Sequence, residues 1–260
     1  MKTKLSVIGQ GIIAIRDLTV GGLEKIRNAD YVIIIGSCKD LDKLIRRESS
    51  AEILDITQEY YDGAKDVENY DRFYQNILCT LKNYKHVVFI VPGHPRIGVT
   101  VVQWLEENKS EHDFDLEVDS AISSFDTMLN DLAVDPLERG SAIVDANRFI
   151  LFEHTIEPSI NYFIYHVCSV GTSRTNFIDP SKDNRIDVLQ EKLMSQFPSN
   201  HRIALCESSD GINKPKRTEW FELNELTSKT RKINFSTSLF VPCLPPKKVD
   251  IEFLKLLKGE

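Results

Sequence analysis

The sequence predicts a two-domain α/β protein, with a mostly parallel sheet in the N-terminal domain and a mixed sheet in the C-terminal one. Three observations predict it. Across residues 5–132, short β-branched runs alternate with stretches of helical period, as parallel strands joined by crossover helices require. Beyond them strand-like runs outnumber helical ones, which suits antiparallel pairing. Between the two, residues 133–141 carry Asp135-Pro136 and Gly140, the punctuation of a boundary. The expected domains are therefore 1–135 and 136–260.

Leu5-Ser6-Val7-Ile8 reads as the first strand, and Gly9-Gln10-Gly11 as the turn that ends it. Residues 18–29 place Leu18, Gly22, Leu23 and Ile26 at helical spacing. Residues 31–35 are a β-branched run and read as a strand buried on both faces. A helix follows over 40–47 and a short strand over 53–56. The next helix covers 67–83, with its period running through Phe73, Ile77, Leu78 and Leu81. Residues 87–91 form the next buried strand, stopped by Pro92-Gly93-His94-Pro95. Residues 100–108 read as helix, 114–118 as strand and 123–132 as helix. In the second half, 142–145, 149–152, 162–167, 202–206, 220–223 and 239–241 read as strands, interrupted by one helix over 185–196.

Composition narrows the class. A chain that is 42% hydrophobic and 27% charged is not disordered. Its 32 Lys and Arg against 39 Asp and Glu leave a net charge of −7, with no basic field for nucleic acid. Five widely spaced cysteines without a CxxC pair suggest neither a disulfide framework nor a zinc site. Met1-Lys2-Thr3-Lys4 runs straight into the first strand without the apolar core of a signal peptide. The longest apolar runs are too short to span a bilayer. The expectation is a cytoplasmic protein with no membrane or nucleic-acid partner.

Two segments can carry chemistry. Gly9 and Gly11 let the backbone approach a ligand closely, or simply make a tight turn; the segment is not a full GxGxxG fingerprint. The abrupt end of strand 87–91 forms the usual ligand crevice of an α/β sheet. His94 there is either a ligand-facing group or a turn histidine bonded to backbone. No second histidine or carboxylate lies at ligand spacing, so no metal is expected.

The glycine turn, Gly93-His94-Pro95 and Ile122-Ser123-Ser124 together resemble the tetrapyrrole methylase superfamily, S-adenosylmethionine (SAM)-dependent methyltransferases of two α/β domains. The likeness narrows with Asp131-Leu132-Ala133-Val134-Asp135-Pro136, Ala146-Asn147-Arg148-Phe149, the run from Tyr165 to Gly171, and Thr237-Ser238-Leu239-Phe240-Val241-Pro242. These resemble the borosin branch, which methylates backbone amides of a precursor peptide. The resemblance covers nearly the whole chain and implies SAM as cofactor, bound between the two domains, with S-adenosylhomocysteine (SAH) as product.

It also implies site residues. Gly9 and Gly11, then Pro92, Gly93, His94, Ile97 and Gly98, would wrap the cofactor. Ser123 and Ser124 would contact its methionine end. His166 stands where the family has a cofactor-bonding glutamine. Strand 204–207 implies Ser208, and the late strand implies Thr237 and Ser238. The catalytic region corresponds to residues 59–74, implying Tyr61, Tyr70, Arg72 and Tyr74. An amide nitrogen is a poor nucleophile, so the site must favour its deprotonated form. Tyrosines beside a cation can act as base or oxyanion donor. Tyr70 and Tyr74, four apart, would share a helix face.

Several positions depart from the family pattern. The family arginine of this helix aligns with Tyr70, and Arg72 lies two residues on. Pro92 replaces a tyrosine, Arg96 replaces a glycine, and Ser120-Ala121 replaces Pro-Gly. No precursor peptide is seen after residues 255–260, so the expected substrate is a separate precursor peptide, handled by a homodimer. The competing expectations are methylation of a small molecule such as a tetrapyrrole, and a non-catalytic partner-binding homologue. Whether Arg72 or Arg96 supplies the displaced cation separates the first reading from the last.

Overall fold

A computed structural model describes residues 2–259. Strands β1 (Thr3–Gly9), β2 (Tyr31–Ile34), β3 (Glu52–Asp55), β4 (His86–Val91) and β5 (Phe114–Val118) form one sheet in the order β3-β2-β4-β1-β5. All four pairings are parallel. Parallel neighbours need crossovers. Helices α1 (Val20–Arg27), α2 (Lys39–Glu48), α3 (Asp66–Leu81) and α4 (Thr100–Asn108) lie between the strands, and α5 (Ser124–Leu132) follows β5. Leu5, Val7, Val87 and Phe89 pack with Phe73 and Ile77 of α3 and Val101 and Leu105 of α4. Ile8, Val32, Ile34, Val88 and Ile90 pack with Ile26 of α1 and Leu41 and Ile45 of α2. Helices on both faces explain why these strands read as unbroken apolar runs.

A second sheet runs β6-β7-β10-β8-β9. Its strands are β6 (Ser141–Asp145), β7 (Asn161–Tyr165), β8 (Arg202–Glu207), β9 (Arg217–Glu222) and β10 (Ser238–Val241). β6 and β7 are parallel, while β10 is antiparallel to both β7 and β8, so the sheet is mixed. Helices α6 (Ala146–Leu151) and α7 (Ile186–Met194) and a 3-10 helix over Leu223–Lys232 cover its core of Phe149, Ile164, Leu189, Ile203, Leu205, Leu226 and Leu239. α8 (Ile251–Lys258) carries exposed Phe253, Leu256 and Leu257.

Three local expectations change. Residues 149–152 are not a strand; they belong to α6 and the turn after it. Asp145 caps this helix, its side chain accepting from the Arg148 N–H at 2.8 Å, and Ala146 and Phe149, three apart, form its buried face. Strand 162–167 ends earlier, at Tyr165, leaving His166 outside it. The 3-10 segment and α8 were not expected; Asp250, just before α8, caps it by accepting from the Phe253 N–H at 2.9 Å.

The chain divides into two compact units, the first being Met1–Leu132 with Ser173–Ile178 and Ser208–Arg217, and the second the remainder. A single cut at 135/136 misses those two returning segments. Hydrogen bonds hold the first: Asp66 N donates to Ser173 O at 2.9 Å, and Gly63 N to Thr175 O at 3.1 Å. Ser208 is tied to Thr127 of α5, oxygen to oxygen, at 2.5 Å, and Lys216 to Asp131 at 3.0 Å. All five cysteines carry free thiols. Among the described residues, no helix is long and apolar enough to cross a membrane.

Candidate functional site

β1 and β4 are neighbours, yet the chain leaves β1 toward β2 on one side and leaves β4 toward β5 on the other. Such a switch point opens a crevice beyond the carboxyl ends of the strands. The glycine turn and the Gly93-His94-Pro95 turn both sit there. They are bonded to each other: Gly93 N donates to Gly11 O at 2.9 Å. A Cβ on Gly9 would lie 2.1 Å from the Gly93 carbonyl oxygen and 2.5 Å from Ala121 Cβ. Gly11 has φ +72°, and a Cβ there would stand 2.2 Å from Asp17 Cβ. Buried Asp17 closes the loop by accepting from the Ile12 and Ile13 N–H groups at 3.2 and 2.8 Å. The glycines thus permit loop-on-loop packing at the crevice. Beside them, Gln10 Nε2 donates to Gly36 O at 3.1 Å, while its buried Oε1 has no partner among the described residues.

His94 is a turn histidine. Its Nδ1 accepts from Arg96 N at 3.0 Å and its carbonyl from Ile97 N at 3.0 Å. Pro92 and Gly98 are exposed and Ile97 is half-buried. Arg96 is committed to Glu106 of α4 at 2.9 Å. Ser123 and Asp126 form a reciprocal cap on α5. Ser123 N and Oγ donate to Asp126 Oδ2 at 2.7 and 2.6 Å, and Asp126 N reaches Ser123 Oγ at 3.4 Å. Ser124 opens the same helix, its carbonyl accepting from Thr127 Oγ1 at 3.0 Å, and Ser208 bonds that same Thr127. Ser123, Ser124 and Ser208 therefore gather around the start of α5.

The remaining expected cofactor residues belong to the second unit. Thr237 Oγ1 donates to buried Glu207 Oε1 at 2.8 Å, and Asn234 Nδ2 donates to the same oxygen at 2.8 Å. Ser238 is buried in β10, opposite Cys206. His166 has a left-handed backbone, φ 56°, and its Nδ1 lies 2.6 Å from Asp145 Oδ2.

The four expected catalytic residues separate into two groups. Tyr61 is 52% exposed, and the Arg72 guanidinium lies over its ring, 4.1 Å from the centroid. Asn69, fully buried in α3, fixes this arrangement. It accepts from Tyr61 N at 2.9 Å, donates to Tyr61 O at 3.1 Å, and accepts from Arg72 Nη2. Arg72 Nε donates to Glu59 O at 2.9 Å. Of the two candidate cations, Arg72 is therefore the one beside a candidate tyrosine.

Tyr70 and Tyr74 do share a helix face, and that face meets Trp104 of α4. Tyr74 is a core residue, 9% exposed, edge-on to Trp104 and His112. Burial pushes its phenol above the ordinary range; a hydrogen bond with Asn108 opposes this, and Glu111 and Asp71 reinforce it. A base would need the opposite shift, so the expectation of a cation-lowered phenol does not hold at Tyr74. Tyr70 packs edge-on against Tyr60 as well, which bonds Asp66 at 2.7 Å. Sequence reasoning missed Asn69. Its signal was a short polar side chain in a helix interior, where it is intrinsically unfavourable.

Residues 4–151 match the family model for Tetrapyrrole (Corrin/Porphyrin) Methylases, more than half of the chain. The chain belongs to this family. It is 24% identical over 260 residues to a methyltransferase/ribosomally synthesized type I borosin cyclic peptide precursor of Mycena rosella, matching 97% of this chain. A type II borosin precursor of Phlebiopsis gigantea is 24% identical over 202 residues, or 76% of this chain. The chain spans 63% and 35% of the lengths of these two relatives. In structure it resembles uroporphyrin-III-C-methyltransferase from Thermus thermophilus, with a TM-score of 0.64, 13% identity and 93% of each chain covered. It also resembles diphthine synthase, with a TM-score of 0.60, 13% identity, and 99% of this chain and 95% of that one covered. The fold is that of the tetrapyrrole methylases.

Proposed function

We propose that this methylase-family chain is a SAM-dependent methyltransferase that methylates backbone amides of a ribosomally made peptide. The observation that carries this reading is Arg72 stacked on the exposed Tyr61 and locked there by Asn69. An amide becomes nucleophilic only as negative charge develops on its N–C–O unit. A fixed guanidinium and a phenolic hydroxyl are what such charge requires. The borosin names of the relatives point to the same class of acceptor.

The crevice residues fit the cofactor. The unpartnered Gln10 Oε1 can accept from an amine, and loops closed by backbone bonds leave a pre-formed rim. Gly93, His94, Ile97, Ser123 and Ser124 would hold it in this reading. SAM when bound supplies a methyl group on a positively charged sulfur. The chain's task is then to place the acceptor in line and stabilise its anionic form. Arg72 supplies charge, the Tyr61 hydroxyl supplies a hydrogen-bond donor, and Asn69 keeps the loop carrying Tyr61 in register with α3. In the same reading the peptide comes from a separate chain and the enzyme is a homodimer. The exposed Phe253, Leu256 and Leu257 offer apolar surface for such an assembly.

Calorimetry with SAH tests the cofactor half of the reading. One site per chain with heat of binding is expected, and Pro95→Gly, which loosens the turn, is expected to weaken it. Folded protein that gives no heat at high SAH concentration would contradict the reading.

A further inference from the structure

The loop that carries Tyr61 is bonded from two sides, and only one of them is its own helix. Asn69 and Arg72 of α3 hold it from that side. From the other comes Ser173–Ile178, which returns to the first unit from the far half of the chain. Lys65 and Arg174 pair in an antiparallel bridge, beside the bonds already given from Asp66 N to Ser173 O and from Gly63 N to Thr175 O. Arg174 Nη1 donates to Gly63 O at 2.7 Å. Asp62 Oδ1 accepts from Phe177 N and, at 3.3 Å, from Ile178 N. Between these bonds the loop turns, with Ala64 N donating to Tyr61 O at 3.2 Å and Gly63 at φ +69°. A positive φ at the third residue of a turn favours glycine. A Cβ on Gly63 would also stand 3.1 Å from Asn176 Oδ1, so turn and segment fit closely.

Asp66 is the centre of this lattice. It is the first residue of α3. Its Oδ1 accepts from the Tyr60 hydroxyl at 2.7 Å and from Thr175 N at 2.9 Å, although Thr175 lies 109 residues further along. One carboxylate oxygen thus ties together the residue before Tyr61, the start of the helix and the returning segment. Tyr60 is also edge-on to Phe177, with ring centroids 5.1 Å apart. Burial above all, then the neighbouring Tyr70, keeps the Tyr60 phenol well above its ordinary range, so its hydroxyl stays a donor. Hydrogen bonds to a carboxylate are stronger than neutral ones. Thr175 and Asn176 are buried, whereas an ordinary connection runs over the surface. Tyr61 itself is 52% exposed, so its backbone must be held if its side chain is to keep one position.

We propose that Ser173–Ile178 clamps the Tyr61 loop, and that Asp66 is the positioning residue of this clamp. It sets the stacked placement of Tyr61 on Arg72, and thereby the rate of methyl transfer. The proposal rests on the reading of Tyr61 as donor to the developing amide anion. All of its contacts lie within the first unit.

Asp66→Ala removes both bonds to Oδ1. A misplacement of about 1 Å can cost about 100-fold in rate, so a slowing of about 10- to 100-fold is expected, with SAH affinity close to wild type. Asp66→Asn keeps an oxygen that can accept from both donors, and is expected to restore most of the rate. A double variant separates positioning from stability. If Asp66 acts through the Tyr61 hydroxyl, adding Asp66→Ala to Tyr61→Phe should cost less than about threefold more. In NMR the Arg72 guanidinium protons, shielded by the Tyr61 ring, are expected upfield in wild type and Asp66→Asn, and at ordinary positions in Asp66→Ala. Should Asp66→Ala not fold, Tyr60→Phe removes one of the two bonds and should show the same pattern with a smaller slowing. A wild-type rate in Asp66→Ala overturns the proposal. So do losses that multiply in the double variant, or Arg72 resonances that do not move. If wild-type protein transfers no methyl group to a peptide, the reading of Tyr61 fails instead, and the Arg72 resonances in Asp66→Ala still decide the clamp.

Discussion

Replacing Tyr61 by phenylalanine is expected to slow methyl transfer by about 100-fold while leaving SAH affinity unchanged. The variant removes one oxygen. The ring stays under Arg72, and the Asn69 bonds run to the Tyr61 backbone, so the loop should hold its shape. A hydrogen bond made to charge that develops only in the transition state contributes about 2–4 kcal/mol, which is that scale of rate. Its loss falls on the chemical step. Arg72→Lys should slow turnover too, because the ammonium keeps charge but loses the planar stack and the forked bonds to Glu59 and Asn69. Tyr74→Phe serves as the contrast. Its ring sits in the core against Trp104 and His112, so a far smaller effect on rate is expected. Single-turnover kinetics with thermal melts alongside measure all three. Equal losses in Tyr61→Phe and Tyr74→Phe, tracking stability, would make the tyrosines packing residues only.

Gly9→Ala should cost both stability and cofactor binding. The new methyl would lie 2.1 Å from a backbone oxygen of the Gly93 turn and 2.5 Å from Ala121 Cβ. Neither is a flexible side-chain end, so a loop has to move. Overpacking of this kind costs about 1–3 kcal/mol, or about 3–10 °C in Tm for a chain of this size. The displaced turn is the one proposed to hold SAM, so SAH affinity should fall by more than an order of magnitude. Gly21→Ala is the control. Nothing lies within 4 Å of its Cβ, and alanine favours helix α1, so Tm should hold or rise. Melting curves and calorimetry on the two variants check this; a Gly9→Ala protein with unchanged SAH affinity would remove the crevice from the account.

The parallel sheet was legible because its strands are buried on both faces. Residues 31–35 and 87–91 are apolar at every position, and glycine or proline marks where they stop. Residues 149–152 misled because four apolar residues fit a strand or a helical turn equally. What decides is the Asp145 cap three residues before Arg148, a feature of spacing rather than hydrophobicity. The returning segments 173–178 and 208–217 were illegible because backbone bonds hold the first and isolated side-chain pairs, Ser208 with Thr127 and Lys216 with Asp131, hold the second, and neither leaves a periodic pattern in the sequence.

At the site, the Gly93-His94-Pro95 turn was legible as an abrupt strand end. The partnership of Arg72 with Tyr61 was not, since it joins a loop to a helix through the buried side chain of Asn69. Helical spacing grouped Tyr70 with Tyr74 correctly, but their shared contact with Trp104 depends on the packing of α3 on α4, which spacing within one helix does not carry. Asp145 was invisible as a partner of His166 because the register of β6 on β7 alone brings them together.

The most direct test of the central claim is mass spectrometry of a borosin-type peptide incubated as a separate chain with this protein and SAM. The account predicts addition of methyl groups, located by fragmentation to backbone nitrogens, in wild type and not at comparable rate in Tyr61→Phe. SAH binding without any backbone methylation, or methyl transfer to a tetrapyrrole in its place, would contradict it.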